Sequence, residues 1–206
     1  MLEQAAGLGY FRWLSVKIGS SERVKSLHYT CMKRLILREP TYDDKDVVWD
    51  FREEFLFESD HIPGSAALGK HVSYEEWLEA VRDGKDGKPE RDIVPSTQYL
   101  AFERSSGKLV GCIQLRHNLN QYLEDFGGHI GYSVRPSERR KGYAYEMVLT
   151  CMEQAAAKGM SKALITCDET NIASEAVIRK AGGVYEDTRG KPSIGQKKRF
   201  WLATKK

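Results

Sequence analysis

The chain has 206 residues, of which 41% are hydrophobic and 30% charged, and its formal net charge is +3. This length and composition are typical of one folded globular domain and exclude a disordered chain. Lys and Arg are scattered among Asp and Glu, which argues against a nucleic-acid partner, because a phosphate backbone is bound by a basic stripe. No apolar run approaches the roughly 18 residues of a membrane span, so no membrane partner is predicted.

Cysteine usage predicts a reducing compartment and no metal site. None of the four cysteines forms a CxxC pair, the spacing that zinc and redox motifs use. Cys112, Cys151 and Cys167 lie in apolar stretches, which favours buried free thiols. The amino-terminal apolar stretch is interrupted by Arg12 and Lys17, unlike a secretion signal. We therefore expect a cytoplasmic protein.

The first 31 residues differ from the rest and are predicted to be an extension, followed by a single domain over 32–206. They show no sustained hydrophobic period, whereas a strand pattern begins at 32–38. Thr41 is placed to cap a helix over 43–57. Ser73 and Glu76 have the capping-box spacing for a second helix.

Strand and helix patterns alternate in the second half of the chain. Strands are predicted over 98–103, 109–116, 129–134, 163–167, 184–187 and 199–204, and helices over 142–158 and 171–182. The first two of these strands form an antiparallel hairpin. This order indicates an α/β fold with α+β character: a central mixed, mostly antiparallel sheet of six to seven strands flanked by about four helices.

The junction between the strand ending at Val134 and the helix beginning near Gly142 has the features of an anion site. A helix start presents unpaired backbone N–H groups and the positive end of the helix dipole. Gly142 permits close backbone approach, and three consecutive cations, Arg139, Arg140 and Lys141, precede it. These features suit a pyrophosphate bound without a metal.

Two motifs resemble those of the GNAT superfamily of N-acetyltransferases. Arg139-x-x-Gly142-x-Ala144 is similar to the superfamily's pyrophosphate-binding signature, and Asn171-x-x-Ser174 resembles its second cofactor element. The segment 128–144 resembles a bacterial branch of predicted acetyltransferases. The resemblance covers residues 34–204 and implies the GNAT acyl-CoA N-acyltransferase fold, with acetyl-CoA as co-substrate and no metal.

The resemblance also implies a role for each matching position. The backbone of Val134 and Arg135 would meet the acetyl and pantetheine groups, and Asn171 and Ser174 would lie beside the pantetheine or the sulfur. The backbone amides that would cradle the pyrophosphate belong to Arg139, Arg140, Lys141, Gly142, Tyr143 and Ala144. Asn171 also has the simpler interpretation of a helix cap, and the two roles are compatible.

Proton transfer is where the chain departs from many relatives. His129 occupies the position of their catalytic Glu, and the pKa of histidine suits a base near neutrality. The simpler interpretation is a histidine that hydrogen-bonds within the sheet. Ile178 stands where a proton-donating Tyr is expected. Tyr185, Cys167, Ser174 or water are the alternatives for that proton.

The acceptor is expected to lie near the loop between the first two helices. Glu58, Asp60 and His61 in this loop are candidates to hold a cationic amine, although a solvated polar loop is the simpler interpretation for each. Further candidates to line the same mouth, for which a solvated polar segment is again the simpler interpretation, are Asn118, Asn120 and Gln121. The aromatic residues of the two helices fit a core better than a substrate cage; they are Trp49, Phe51, Phe55 and Trp77.

The resulting hypothesis is an acetyl-CoA-dependent N-acetyltransferase that acts on a small amine or a peptide amino terminus by direct attack in a ternary complex. The alternative is a non-catalytic acyl-CoA-binding or regulatory module, favoured by the changes at His129 and Ile178. A third interpretation, nucleic-acid binding through 139–141, is disfavoured by the small net charge. A homodimer is left open.

Overall fold

The computed structural model describes residues 33–58 and 61–204 of the chain. The predicted extension over 1–31 and the candidate Asp60 lie outside these residues. The strands are β1 Leu35–Arg38, β2 Ser96–Glu103, β3 Leu109–Arg116, β4 Ile130–Val134, β5 Lys162–Asp168, β6 Val184–Lys191 and β7 Gly195–Ala203. The α-helices are α1 Lys45–Leu56, α2 Tyr74–Asp86, α3 Tyr143–Ala157 and α4 Ile172–Lys180.

The seven strands form one sheet in the order β1-β2-β3-β4-β5-β7-β6. β4 and β5 are parallel, and every other neighbouring pair is antiparallel. The predicted mixed, mostly antiparallel sheet with about four helices is thus confirmed. None of the helices within the described ranges is both long and apolar enough to traverse a bilayer.

Each face of the sheet carries its own hydrophobic core. On one face, α3 and α4 cover a cluster that includes Met147 and Ile178. On the other, α1 and α2 cover a cluster that includes Phe51, Phe55 and Trp77, all of them buried. The prediction that these aromatic residues form core rather than a substrate cage is confirmed.

Local capping positions the two helices on the second face. The Ser73 hydroxyl accepts the N–H of Glu76 (3.2 Å), as the capping-box spacing predicts. Before α1, the Asp44 carboxylate accepts the N–H of Thr41 (2.8 Å). This bond tightens residues 42–44 into a 3-10 turn, so the α-helix begins later than the predicted residue 43.

Two segments differ from their predicted form because of contacts distant in sequence. The last two strands are longer than predicted, since a tight turn ending at Gly195 (φ +76°) allows β6 and β7 to pair along most of their length. The predicted loop over 123–128 instead contains a π-helical turn, Leu123–Gly127. The carbonyl of Phe126 in this turn accepts the hydroxyl of Thr166 on β5 (2.8 Å), which holds the turn against the sheet.

Candidate active site

The two parallel strands at the centre of the sheet, β4 and β5, separate along their length. Their pairing consists of Ile130 opposite Ile165, beside a hydrogen bond from the His129 N–H to the Leu164 carbonyl (2.7 Å). β4 remains paired with β3 as far as Val134. The edge of β4 that faces β5 therefore opens into a gap beyond Ile130, where its backbone polar groups are available to a ligand.

The gap leads to the turn that connects β4 with α3. Pro136–Glu138 form a 3-10 turn, and Arg140 (φ +67°) and Gly142 (φ +87°) both adopt left-handed backbone conformations. Gly142 caps α3, and a Cβ atom on it would meet no atom closer than 3.5 Å. The first-turn N–H groups of α3 have no intrahelical partner. An open, glycine-capped helix start of this kind fits a diphosphate.

Two cations of the turn are engaged by acidic residues of α1 and of the segment that directly follows it. Arg135 is buried, and its Nη2 lies 2.7 Å from the Asp50 carboxylate. Arg139 forms a bidentate pair with Glu58, at 3.0 and 2.7 Å. The Glu54 carboxylate accepts the N–H of Ser137 in the same turn (2.5 Å). Helix α1 and Glu58 just after it therefore fix the position of the turn, which the sequence did not indicate.

The backbone of Arg135 is engaged as well. Its N–H donates to the Val110 carbonyl (2.9 Å), and its carbonyl accepts the N–H of Glu138 (2.9 Å). Arg135 therefore has no free N–H for the predicted backbone contact with the cofactor. Val134 remains the better candidate for that contact. Lys141 pairs with Glu138 (2.7 Å), and Arg140 is exposed at the mouth of the gap.

Tyr143 and Ala144 belong to the first turn of α3, where their backbone N–H groups can contact a ligand. The Tyr143 ring is buried, and its hydroxyl donates to the Glu103 carboxylate (2.5 Å). That hydrogen bond, together with burial, raises the pKa of Tyr143 to about 12. The Tyr143 side chain thus anchors the helix, while the small Ala144 side chain is half-buried beside it.

Across the gap, the start of α4 contacts β4 through a pair of hydroxyl groups. The Asn171 side-chain oxygen accepts the N–H of Ser174 (2.9 Å), so Asn171 is a helix cap. The Ser174 hydroxyl lies 2.8 Å from the hydroxyl of Tyr132 on β4. Burial raises the pKa of Tyr132 to about 12, so its phenol stays protonated at neutral pH. Nothing in the local sequence indicated Tyr132, because its partner is 42 residues away.

His129 lies at the closed end of the gap, where β4 and β5 are still joined. Its Nδ1 accepts the N–H of Leu164 (2.9 Å), and its ring packs near Trp201. Burial and the nearby Arg116 guanidinium lower the pKa of His129 to about 4. With Nδ1 occupied and its basicity reduced, His129 is poorly suited to remove a proton, and the geometry favours the simpler role of holding the two strands together.

The lowered pKa of His129 predicts a pH dependence of stability. An unfolded histidine titrates near 6.5, so as the pH falls below that value the unfolded state binds more protons than the folded state. We expect the folded protein to lose roughly 2 kcal/mol between pH 7 and pH 5 through this group. Urea unfolding at both pH values measures the loss. His129→Asn retains a hydrogen-bond acceptor but does not titrate, so it should lose less stability between pH 7 and pH 5. A loss equal to that of the wild type would contradict this account.

The alternative proton donors are distributed unevenly around the gap. Tyr185 lies on the edge strand β6, separated from β5 by β7, and its hydroxyl contacts Thr188 (2.9 Å). Ile178 is fully buried in the core. Cys167 is buried on β5, and burial raises the pKa of its thiol to about 11. Ser174, paired with Tyr132, is the candidate that the fold brings to the gap.

The loop between α1 and α2, called the acceptor loop because the sequence predicts the acceptor near it, reaches β4 by a close backbone contact. A Cβ on Gly64 would lie 2.0 Å from the carbonyl oxygen of Gly131, so side chains larger than glycine are excluded there. The Ser133 hydroxyl donates to the Pro63 carbonyl (2.7 Å). The face of β4 that carries Gly131 and Ser133 is thus covered by this loop. His61 is exposed at the start of the described part of the loop.

The gap and the turn together fit an acyl-CoA. An extended thiol arm can pair with the open edge of β4, and the N–H groups at Gly142 can receive the diphosphate. Within the residues that the structure describes, no cluster of histidine, cysteine or acidic residues could hold a metal ion.

Comparisons with known proteins agree with this geometry. The family model for the GNAT acetyltransferase domain matches residues 34–184. A search of curated protein sequences found no significant match. Among solved structures, the chain is similar to RimL, a ribosomal L7/L12 alpha-N-protein acetyltransferase in complex with coenzyme A, with 16% identity, a TM-score of 0.61 and coverage of 82% of this chain and 94% of that one.

Two further solved structures share the fold. One is an acetyltransferase from Salmonella typhimurium that modifies the N-terminal serine of the ribosomal protein L7/L12, with 16% identity, a TM-score of 0.60 and coverage of 84% and 96%. The other is a spermidine N-acetyltransferase SpeG chimera from Vibrio cholerae and hSSAT, with 14% identity, a TM-score of 0.58 and coverage of 83% and 96%. Since the family model spans more than half of the chain, this protein belongs to the GNAT family and is an acetyl-CoA-dependent N-acetyltransferase.

Proposed function

We propose that the protein transfers the acetyl group of acetyl-CoA to a primary amine, either a small amine or the amino terminus of a peptide, within a ternary complex. The observation that carries this proposal is the gap between β4 and β5 that ends at the open helix start of Gly142. The names of the structural neighbours, which include a ribosomal-protein and a spermidine acetyltransferase, support an amine as acceptor.

In this proposal the cofactor is held mainly by backbone groups. The open edge of β4 near Val134 pairs with the thiol arm, and the amides from Arg139 to Ala144 receive the diphosphate. Arg140 is exposed and adds positive charge, whereas Arg139 and Lys141 can do so only by leaving Glu58 and Glu138.

Bound acetyl-CoA supplies the acetyl carbon that the acceptor nitrogen attacks, and the thiol sulfur that leaves with its electron pair and takes up one proton. In our proposal the Ser174 hydroxyl donates a hydrogen bond into the gap, where negative charge develops. The Tyr132 phenol donates to the Ser174 oxygen and thereby orients the serine proton. The acceptor must enter as the neutral amine, because an ammonium group has no lone pair.

The test is thiol release from acetyl-CoA with matched acceptors. We expect release with a peptide bearing a free amino terminus or with a small amine, and only background release with the same peptide after its amino terminus is blocked. Mass spectrometry of the product then places the acetyl group on nitrogen. Cofactor binding without release across the whole amine panel would contradict the proposal and favour a non-catalytic acyl-CoA-binding protein.

A further inference from the structure

A cleft of about 220 Å³ opens on the acceptor face of the sheet, between the ends of β2 and β3 and the segment that follows β3. Its lining includes Ser96, Gln114, Arg116, Asn120 and Tyr122. From the sequence pattern, Asn120 is a candidate to line the mouth of the acceptor site. The site described above does not use this cleft, whose lining includes the cation Arg116.

The guanidinium of Arg116 is only partly engaged. Its Nη1 donates to the carbonyls of Gly127 (3.3 Å) and Gly128 (3.0 Å). Arginine carries five N–H donors, and the Nε–Nη2 edge is the one that grips a carboxylate with two parallel hydrogen bonds. Among the described residues, the Nε–Nη2 edge of Arg116 has no hydrogen-bond partner. No Arg116 nitrogen is buried without a partner, so this edge is reached by solvent. Since Arg116 lines the cleft, we infer that the edge faces it.

No carboxylate in the part of the chain that the structure describes neutralises the charge of Arg116. Burial lowers the pKa of the Arg116 guanidinium, and the phenol of Tyr122 is the ionisable group that opposes this effect. Asp92 also lines the cleft but is exposed, and it forms no ion pair with Arg116 within the described ranges. A half-buried cation without a counter-ion costs free energy unless a ligand compensates it.

The position of Arg116 places this charge beside the acceptor path. Its Nη1 lies 4.0 Å from the point that a Cβ on Gly131 would occupy, and Gly131 is in the middle of β4, under the acceptor loop at Gly64. The gap lies on the other side of β4, so one to two strand spacings, about 5–10 Å, separate the guanidinium from it.

Of the two acidic residues predicted to hold a cationic acceptor, Glu58 is already paired, and Asp60 lies outside the described residues. Glu58, which follows α1, binds Arg139 of the β4–α3 turn, and Asp50 of α1 binds Arg135. At Glu58 a cationic acceptor would have to compete with Arg139, whereas an anionic group would meet the Arg116 guanidinium, which pairs with no carboxylate of the described residues. The electrostatics of the described residues therefore favour an acceptor with negative charge.

We propose that the Arg116 cleft binds a carboxylate of the acetyl acceptor, so that the preferred substrates are amines carrying a carboxylate a few bonds from the nitrogen. Such a group belongs either to a free amino acid or to an acidic side chain next to the amino terminus of a peptide. This inference rests on the proposed function and specifies its acceptor class.

The experiment compares acceptors that differ in the carboxylate alone. The small pair is γ-aminobutyrate and 4-amino-1-butanol, and the peptide pair is Ser-Glu-Ala-amide and Ser-Gln-Ala-amide. We expect kcat/KM to be at least tenfold higher for the carboxylate member of one pair, mainly through KM, and the pair that shows the preference identifies the source of the carboxylate. Equal kcat/KM values within both pairs would overturn the inference.

Arg116→Gln tests the role of the residue. The measured quantity is the ratio of kcat/KM between the carboxylate acceptor and its neutral partner, because simple damage to the fold would lower both values and leave the ratio unchanged. A role limited to holding the Gly127 and Gly128 carbonyls would lower both kcat/KM values together and leave their ratio unchanged, which would overturn the inference. Loss of the preference supports it. Arg82→Gln removes an exposed arginine of α2 that contacts Tyr42, and it should retain the wild-type ratio.

Calorimetry separates this inference from the proposed function. Titration of the CoA-bound protein with γ-aminobutyrate or with Ser-Glu-Ala-amide requires no turnover. If no amine is acetylated, the proposed function fails. Binding of one probe that is lost in Arg116→Gln would then still support the carboxylate site, and binding that is absent or unchanged by the substitution would overturn it.

Discussion

Tyr132→Phe is expected to lower kcat by about tenfold to a hundredfold while leaving the affinity for acetyl-CoA nearly unchanged. The substitution keeps the ring but removes the hydroxyl that lies 2.8 Å from the Ser174 hydroxyl. The serine proton therefore loses its orientation toward the gap. Removing one donor aimed at developing charge has effects of this order or larger. Steady-state kinetics give kcat, and calorimetry gives the cofactor affinity.

Tyr185→Phe is the matched control for this prediction. Its hydroxyl also lies near another hydroxyl, that of Thr188 at 2.9 Å, but on the edge strand β6. We expect little change in kcat there. Tyr132→Phe combined with Ser174→Ala should be no slower than Ser174→Ala alone, because the two groups act as a unit. Full activity of Tyr132→Phe, or a larger loss in Tyr185→Phe, would contradict the assignment.

Gly142→Val is expected to weaken acetyl-CoA binding at least tenfold, which corresponds to about 1.4 kcal/mol. Gly142 has a φ of +87°, a conformation that a β-branched residue adopts only with strain. The new side chain would also project at the start of α3, beside the Arg34 Nη2 at 3.5 Å, where the diphosphate is proposed to bind. Calorimetric titration with acetyl-CoA measures the change.

The opposite end of α3 offers a control with the same backbone strain. Gly159 has a φ of +81° and open space around it. Gly159→Val should therefore destabilise the protein by a similar amount in thermal unfolding, yet leave the cofactor affinity intact. If both variants bind acetyl-CoA equally well while folded, the diphosphate does not sit at Gly142.

The local parts of the fold were predictable because short-range chemistry controls them. The Ser73 cap and the Asn171 cap each join residues three apart, and both hydrogen bonds are present. The hairpin of β2 and β3 was likewise indicated by alternation and a short turn. Strand lengths at β6 and β7 were underestimated, since cross-strand pairing extends polar segments that have no strand pattern of their own.

The candidate site was predictable only along the backbone. The motif at Gly142 identified a helix start, and the structure places an open one there. The partners of the charged side chains were not predictable, because they come from elements far away in sequence. Arg139 meets Glu58 across 81 residues, and Arg135 meets Asp50 across 85. His129 is oriented by Leu164, 35 residues away.

The sequence by itself determined the family, the order of the elements and the position of the glycine-capped turn, since each depends on residues adjacent in the chain. The tertiary structure decided which side chains are available for chemistry. Folding places Leu164 against the His129 ring, Asp50 against Arg135, Glu58 against Arg139 and Tyr132 beside Ser174. One edge of Arg116 keeps no partner among the described residues. Burial and pairing set the reactivity of a side chain, and both arise only when distant segments pack together.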